Sequence, residues 1–297
     1  MTTPNHIEPL LAWYARTARD LPWRAPDAGP WSVLVSEFML QQTPVNRVLP
    51  AHARWLARWP SPPALAAEPA GEAIREWGRL GYPRRAVRLH QSARLITTAH
   101  DGIVPDTIAE LRALPGVGSY TAAAIASFAF GQRHAVLDTN VRRVLARLIG
   151  GSAGPASASP SVAETQLAQS LLPAAPATAA RWSVAVMELG ALVCAAATPR
   201  CQDCPLADQC AWLAAGRPGL DKKDGTLPRA ARTQRYEGTD RQCRGRVLAV
   251  LRDCTYPVPR TGFDLVWPDQ DQLNRAIAGL VSDGLVAGSP VGYALPR

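Results

Sequence analysis

Lysine is nearly absent from this 297-residue chain: it occurs only at Lys222 and Lys223, so 30 of the 32 basic residues are arginine. That shortage leaves almost no buried amine nucleophile to choose from, whereas arginine forks suit phosphates and base edges. Long apolar runs are missing too, and no stretch approaches the ~20 residues a membrane span needs. The first twenty residues are broken by Asn5, His6, Glu8, Arg16 and Asp20 and hold no secretory h-region, so the expected location is cytoplasmic. Acidic residues are in deficit, 24 against 32 basic, and the resulting charge of +8 favours a polyanionic partner. Alternating strand patterns are lacking over the first ~215 residues, as are internal repeats.

What is present there is helical spacing. Ile7, Leu10, Leu11 and Tyr14 recur at helical intervals, and a nearly all-apolar run at 31–40 follows a Pro-rich turn. Amphipathic stretches follow at 48–59, 73–77, 85–100 and 108–114, and an Ala-rich helix at 121–130 stops at Gly131. In 140–149, Val141, Val144, Leu145, Leu148 and Ile149 form one stripe while Arg142, Arg143 and Arg147 lie off it, which predicts one core face and one basic face. Residues 151–161 read as a loop, and 162–172 and 179–193 as helices. Apolar periodicity lapses over 216–237, the mark of a linker. In 238–297, two helices at 242–251 and 270–283 precede a hairpin at 285–295, which predicts a small winged-helix-like α+β domain.

Six cysteines are present, and four crowd together: Cys194, six residues, Cys201, two, Cys204, five, Cys210. In a reducing compartment this pattern reads as a metal or cluster site before a disulfide framework. Four thiolates in one loop can wrap a cubane [4Fe-4S] cluster, and structural zinc, which uses two close pairs, is the weaker alternative. Cys243 and Cys254 read as ordinary thiols. Residues 114–123 lie between two predicted helices, and Gly116 and Gly118 allow a tight hairpin whose amides hold a phosphate; a plain turn is the alternative. Glu37 sits in the apolar run, where lost hydration would keep its proton on, unless it faces solvent or an arginine. Asp138 precedes the helix at 140, where free amides and the helix dipole favour its ionised form, either as a plain N-cap or as a working carboxylate. One protonated and one charged carboxyl would suit cleavage of a glycosidic bond.

These pieces, 36–43, 78–82, 114–121, 137–147 and the four cysteines, resemble in order and separation the MutY-type adenine glycosylases of the endonuclease III, helix-hairpin-helix superfamily. The likeness covers about 21–212, roughly two thirds of the chain. It implies a mainly α glycosylase domain at 1–215, with a six-helix barrel module at about 27–134 and an iron-sulfur cluster module formed by 1–26 plus 135–215. It also implies base excision repair: adenine opposite 8-oxoguanine or guanine in double-stranded DNA is flipped into a pocket between the modules and removed. By position, Glu37 matches the acid that protonates adenine at N7. Asp138 matches the carboxylate that stabilises the sugar cation or adds to it, and Tyr120 and Asn140 match residues supporting it. Gln42, Thr43, Leu80 and Tyr82 match residues that wedge into the duplex or touch the opposing purine. Gly116, Gly118 and Arg200 are the expected phosphate contacts, and Cys194, Cys201, Cys204 and Cys210 the cluster ligands.

Where endonuclease III-type enzymes carry a lyase Lys, this chain has Tyr120, so the resemblance implies a monofunctional enzyme that leaves an abasic site. Two departures stand out. Pro83 replaces a common second aromatic, and only about sixty residues follow the linker, too few for the Nudix-like 8-oxoguanine reader usual in full-length members. The chain is expected to act as a monomer, nucleoid-associated, with 238–297 serving either DNA contact or docking of a repair protein. The alternatives are a thymine or uracil mismatch glycosylase of the same superfamily and a non-catalytic DNA-binding cluster protein.

Overall fold

The computed structural model describes residues 5–219 and 236–297, so both lysines and most of the expected linker lie outside the described residues. In chain order the first helices are α1 (Ile7–Thr17), α2 (Pro30–Leu40), α3 (Val45–Arg58), α4 (Pro62–Ala66), α5 (Ala70–Trp77) and α6 (Arg84–Ala99). Next come α7 (Ile108–Ala113), α8 (Ser119–Phe130), α9 (Thr139–Leu148), α10 (Val162–Leu171), α11 (Pro176–Leu192) and α12 (Ala211–Ala214). The last described segment holds α13 (Asp240–Asp253), α14 (Gln270–Ser282) and an antiparallel hairpin, β1 (Ala287–Ser289) with β2 (Gly292–Ala294). Gly131 ends α8 at φ +65°, the left-handed stop expected of it. Among the described residues no helix is long and apolar enough to cross a membrane.

The chain divides into two compact units. One comprises Met1–Pro30, Asp106–Ile108 and Gly118–Arg232. Its core is the apolar stripe of α9 (Val141, Val144, Leu145, Leu148) packed with Trp182, Val186 and Leu189 of α11 and Leu10 and Trp13 of α1. At Gly190 an added Cβ would stand 2.7 Å from Asn140 Cβ, so only glycine lets α11 come this close to the start of α9. Glu188 of α11 is fully buried and pairs with Arg19 at 2.7 Å and Arg24 at 3.0 Å, tying the segment after α1 to the core. Burial works to raise its pKa, but the two guanidiniums prevail and hold it down to about 2.

The basic face predicted for α9 is not a solvent face. Arg142 and Arg147 are buried, and Arg143 is half-buried. Their stems lie over the core while the forks reach sideways to carbonyls that the loops leave unpaired. Arg142 binds the carbonyls of Ser157, Ala158 and Ser159 and the Glu164 carboxylate. This anchors the loop at 151–161.

The second unit comprises Trp31–Pro105, Ala109–Val117 and Thr233–Arg297. Trp55, Trp59 and Trp77 pack edge-to-face at its centre, with centroids 4.7 and 5.7 Å apart. Helix α8 groups with the first unit through α11, although the barrel module was expected to run to about 134. The described part of 238–297 has the expected helices and hairpin, and it belongs to the second unit instead of standing apart. The attachment is specific: Gly71 N donates to Pro296 O at 2.7 Å, Arg252 Nε to Ile74 O at 3.1 Å, and Arg75 Nη2 to Cys254 O at 3.1 Å.

Candidate functional site

Glu37 lies on α2, in the second unit, where eight of eleven residues are buried, so the helix has no wet face. The residue is 6% exposed, so it does not point at solvent. The C-terminal carbonyls of α2 have no intrahelical partner. Arg85 Nη1 caps them, donating to Phe38 O at 2.9 Å and Met39 O at 3.0 Å.

The same guanidinium gathers two loops. Arg85 Nη1 also donates to Gln41 O, and Nη2 to Thr43 Oγ1 at 2.9 Å and Gly81 O at 3.0 Å. Its plane lies 5.2 Å from the Trp77 ring centroid and 5.5 Å from that of Tyr82. Burial lowers its pKa to about 10, which leaves it charged at neutral pH. Thr43 is buried beside Leu80, its Oγ1 3.4 Å from Leu80 O. Gln42 and Tyr82 stand out of the surface at φ +56° and +47°. Non-glycine residues seldom hold that conformation, and where they do the strain points to function. Gln42, Thr43, Leu80 and Tyr82, predicted as one group, therefore occur together in one unit. Arg85, which joins them, was missed: an arginine at the start of a helix reads as a surface charge.

At the hairpin, Gly116 sits at φ +87°, and an added Cβ would stand 2.9 Å from Phe38 Cε1 and 3.0 Å from Arg88 Cβ. Both conformation and space demand glycine there. Gly118 is the N-cap of α8 at φ −90°, where no side chain caps the helix and a Cβ would meet nothing within 4 Å. The first amides of α8 thus face an open approach suited to a phosphate. Tyr120, in the first turn of α8, is half-buried.

Asp138, in the first unit, is the N-cap of α9. Its Oδ1 accepts from Val141 N at 2.6 Å, and Oδ2 from Asn140 Nδ2 at 2.7 Å. Asn140 is in turn fixed by Arg143 Nη2, which donates to its Oδ1 at 2.8 Å. The sequence favoured the ionised form, but burial outweighs these bonds and raises the Asp138 pKa. The donors still limit the rise.

Cys194, Cys201, Cys204 and Cys210 line one cavity of about 310 Å³, counting its open mouth, with Arg147 and Trp212 in its wall. All four are free thiols. Burial and then the neighbouring sulfurs push the Cys204 thiol up to about 11 and raise Cys201. Positive charge sharing the cavity would favour the thiolate forms of Cys201 and Cys204. Among the described residues no three His, Cys, Asp or Glu side chains converge to hold a metal ion. A cubane gives each thiolate its own iron, so sulfurs spread around a cavity wall fit it as a donor set. Arg147 ties the cysteine loop to the loop at 151–161, donating to Ala153 O, Ala195 O and Ala196 O at 2.8–3.0 Å and to Cys194 Sγ at 3.3 Å. Arg200 is exposed, with Nη2 bonded to Leu192 O at 2.6 Å.

Residues 35–170 match the model of the HhH-GPD superfamily base excision DNA repair proteins. An adenine DNA glycosylase of Mycobacterium tuberculosis is 52% identical over 300 positions, covering all of this chain and 96% of that protein. A human adenine DNA glycosylase is 42% identical over 209 positions, covering 68% of this chain and 38% of the human protein. Among solved structures, a thermostable thymine-DNA glycosylase superposes with a TM-score of 0.62 at 26% identity, covering 70% of this chain and 95% of that one. The chain therefore belongs to the adenine DNA glycosylases, within the HhH-GPD superfamily of base excision DNA repair proteins.

Proposed function

We propose that this chain excises adenine paired with 8-oxoguanine or guanine in double-stranded DNA, acting as a monomer at the nucleoid and leaving an abasic site. The observation that carries the reading is Glu37, a carboxyl residue enclosed at 6% exposure on the largely buried helix α2, in a chain 52% identical along its whole length to an adenine DNA glycosylase. A purine gives such an acid a task. Protonation at N7 turns adenine into a neutral leaving group, and Glu37 delivers that proton. As the C1′–N9 bond breaks, its electron pair stays with the base, and positive charge grows on the sugar. Asp138 stabilises that charge, with Asn140 and the Val141 amide fixing its two oxygens, until water adds at C1′ and gives up a proton to leave the abasic sugar. Tyr120 occupies the position at which a lyase would need an amine, so base release is the whole reaction.

Gln42, Thr43, Leu80 and Tyr82 serve as the duplex wedge, and Gly116 and Gly118, with the first amides of α8, as the phosphate grip. Cys194, Cys201, Cys204 and Cys210 would hold a [4Fe-4S] cluster. Its contribution when bound is rigidity of the loop that presents Arg200 to phosphate.

The test is single-turnover base release from matched duplexes carrying A opposite 8-oxoguanine, G, C or T, together with T and U opposite G, at one fixed salt concentration. Release of adenine only, fastest opposite 8-oxoguanine and G, is expected. Release of T or U from a G mispair would transfer the chain's activity to that of the thymine-DNA glycosylase whose fold it shares. Strand cleavage without heat or alkali, with a borohydride-trapped adduct, would refute the monofunctional reading.

A further inference from the structure

Several contacts carry the segment after residue 235 onto the loop that bears Tyr82. Asp283 accepts ion pairs from Arg84, at the start of α6, and from Arg244 of α13. Arg252 and the Cys254 carbonyl bond to α5, the helix that leads into the loop. At the loop itself, the Arg241 guanidinium lies 5.2 Å from the Tyr82 ring centroid and 5.9 Å from that of Tyr236. Tyr82 is 48% exposed and held at positive φ, yet two guanidiniums reach its ring: Arg85 from α6 and Arg241 from α13.

An exposed aromatic ring that must insert into a duplex gives up rotamer freedom when it does so, and ordering it beforehand lowers that cost. Arg85 secures the backbone on which Tyr82 stands, through Gly81 O. It does not by itself fix an exposed ring. Arg241 supplies a second guanidinium contact from a separate element, and the Arg84–Asp283–Arg244 ion pairs keep that element in place.

Resting on the reading of Tyr82 as a duplex-contacting residue, we propose that Arg241 is a positioning residue for it: the C-terminal segment is a brace that sets the Tyr82 ring for insertion. The segment thereby contributes to mispair recognition through the loop it steadies. A role as an independent base reader or a simple phosphate anchor is the competing outcome.

The experiment uses the full chain and a duplex with 2′-fluoro-2′-deoxyadenosine opposite 8-oxoguanine, whose electron-poor sugar resists base loss, so that binding is measured alone. Arg241→Ala should weaken binding about two- to fivefold, the range of an exposed cation–π contact. The saturating single-turnover rate on the ordinary substrate should stay within about twofold, and thermal unfolding should be unchanged. In a Tyr82→Leu background, Arg241→Ala should add nothing. Arg241→Lys, which keeps charge but loses the flat face, should recover part of the affinity at most. The proposal is overturned if Arg241→Ala binds like wild type while Tyr82→Leu binds weakly; the reading of Tyr82 then survives without it. It is also overturned if the Arg241 effect persists undiminished in Tyr82→Leu, or if full rescue by lysine accompanies a salt slope about one lower in Arg241→Ala, the signature of a phosphate contact. Wild-type affinity in Tyr82→Leu would sink the underlying reading and this inference together.

Discussion

Arg85 in one unit and Arg147 in the other are both buried arginines that bind backbone carbonyls, yet they hold different things. Arg147 bridges the loop at 151–161 and the cysteine loop after α11, binding carbonyls at 153, 195 and 196, touching Cys194 Sγ and lying over Trp212 with its Cζ 4.8 Å from the ring centroid. Arg85 reaches two stretches of chain, the end of α2 with the turn that follows it at 41–43, and Gly81. The first therefore ties two loops around the cysteines, and the second holds the end of α2 to the loop that bears Tyr82. A carboxylate partner would neutralise either fork, whereas carbonyls leave its charge to act on the sulfurs or the Tyr82 ring.

Truncation should separate these roles, and it should cost most at Arg147. Arg147→Ala strands several buried carbonyls around the cysteine loop, with an expected loss of about 3 kcal/mol or more in stability. Calorimetry should show it, together with a fall in the visible absorbance of the proposed iron-sulfur cluster. Arg85→Lys is expected to lose about 2 kcal/mol, because one ammonium cannot serve five acceptors, and to weaken mispaired-duplex binding while leaving the iron content unchanged. If Arg85→Lys instead reduced iron content, or Arg147→Ala spared it, the contrast between the two arginines would be lost.

The hairpin glycines sharpen the comparison on a smaller scale. Gly116→Ala meets both a left-handed backbone and the Phe38 ring, so a stability loss of about 1–3 kcal/mol is expected. Gly118→Ala meets neither, and should leave the melting temperature within about 1 °C while lowering affinity for any duplex. Equal effects on stability at the two positions would remove the distinction.

Much of this was legible in the sequence because it rests on local periodicity. The apolar stripe of α9, the Gly131 stop and the helices and hairpin of the last segment follow from spacing and turn chemistry. The candidate site residues came from the order of short motifs, not from any one of them. What stayed hidden depends on tertiary placement. The arginines of α9 are off the apolar stripe in a helical projection, but neighbouring loops bury two of them. Nothing in residues 82–86 announces that Arg85 turns inward, and no spacing rule could tell that α13 meets the Tyr82 loop. Asp138 was placed correctly as an N-cap, but the direction of its pKa was not, since burial is a property of the folded surroundings.

That direction gives the smallest of the expected effects. In the proposed mechanism Asp138 acts ionised, so the rate should be lost as pH falls through a pKa lying above the ordinary aspartate value. Asn140→Ala removes a donor to the carboxylate and should move this acid limb to still higher pH. A limb unmoved in Asn140→Ala would mean that another group sets it.

The central claim, that Glu37 and Asp138 carry base release, is tested most directly by single-turnover adenine release from an A:8-oxoguanine duplex with Glu37→Gln and Asp138→Asn, with duplex affinity measured alongside. The account predicts that each substitution lowers the rate by about 10²–10⁴-fold with affinity held within about threefold. Either variant retaining a rate near wild type, with affinity intact, would contradict it.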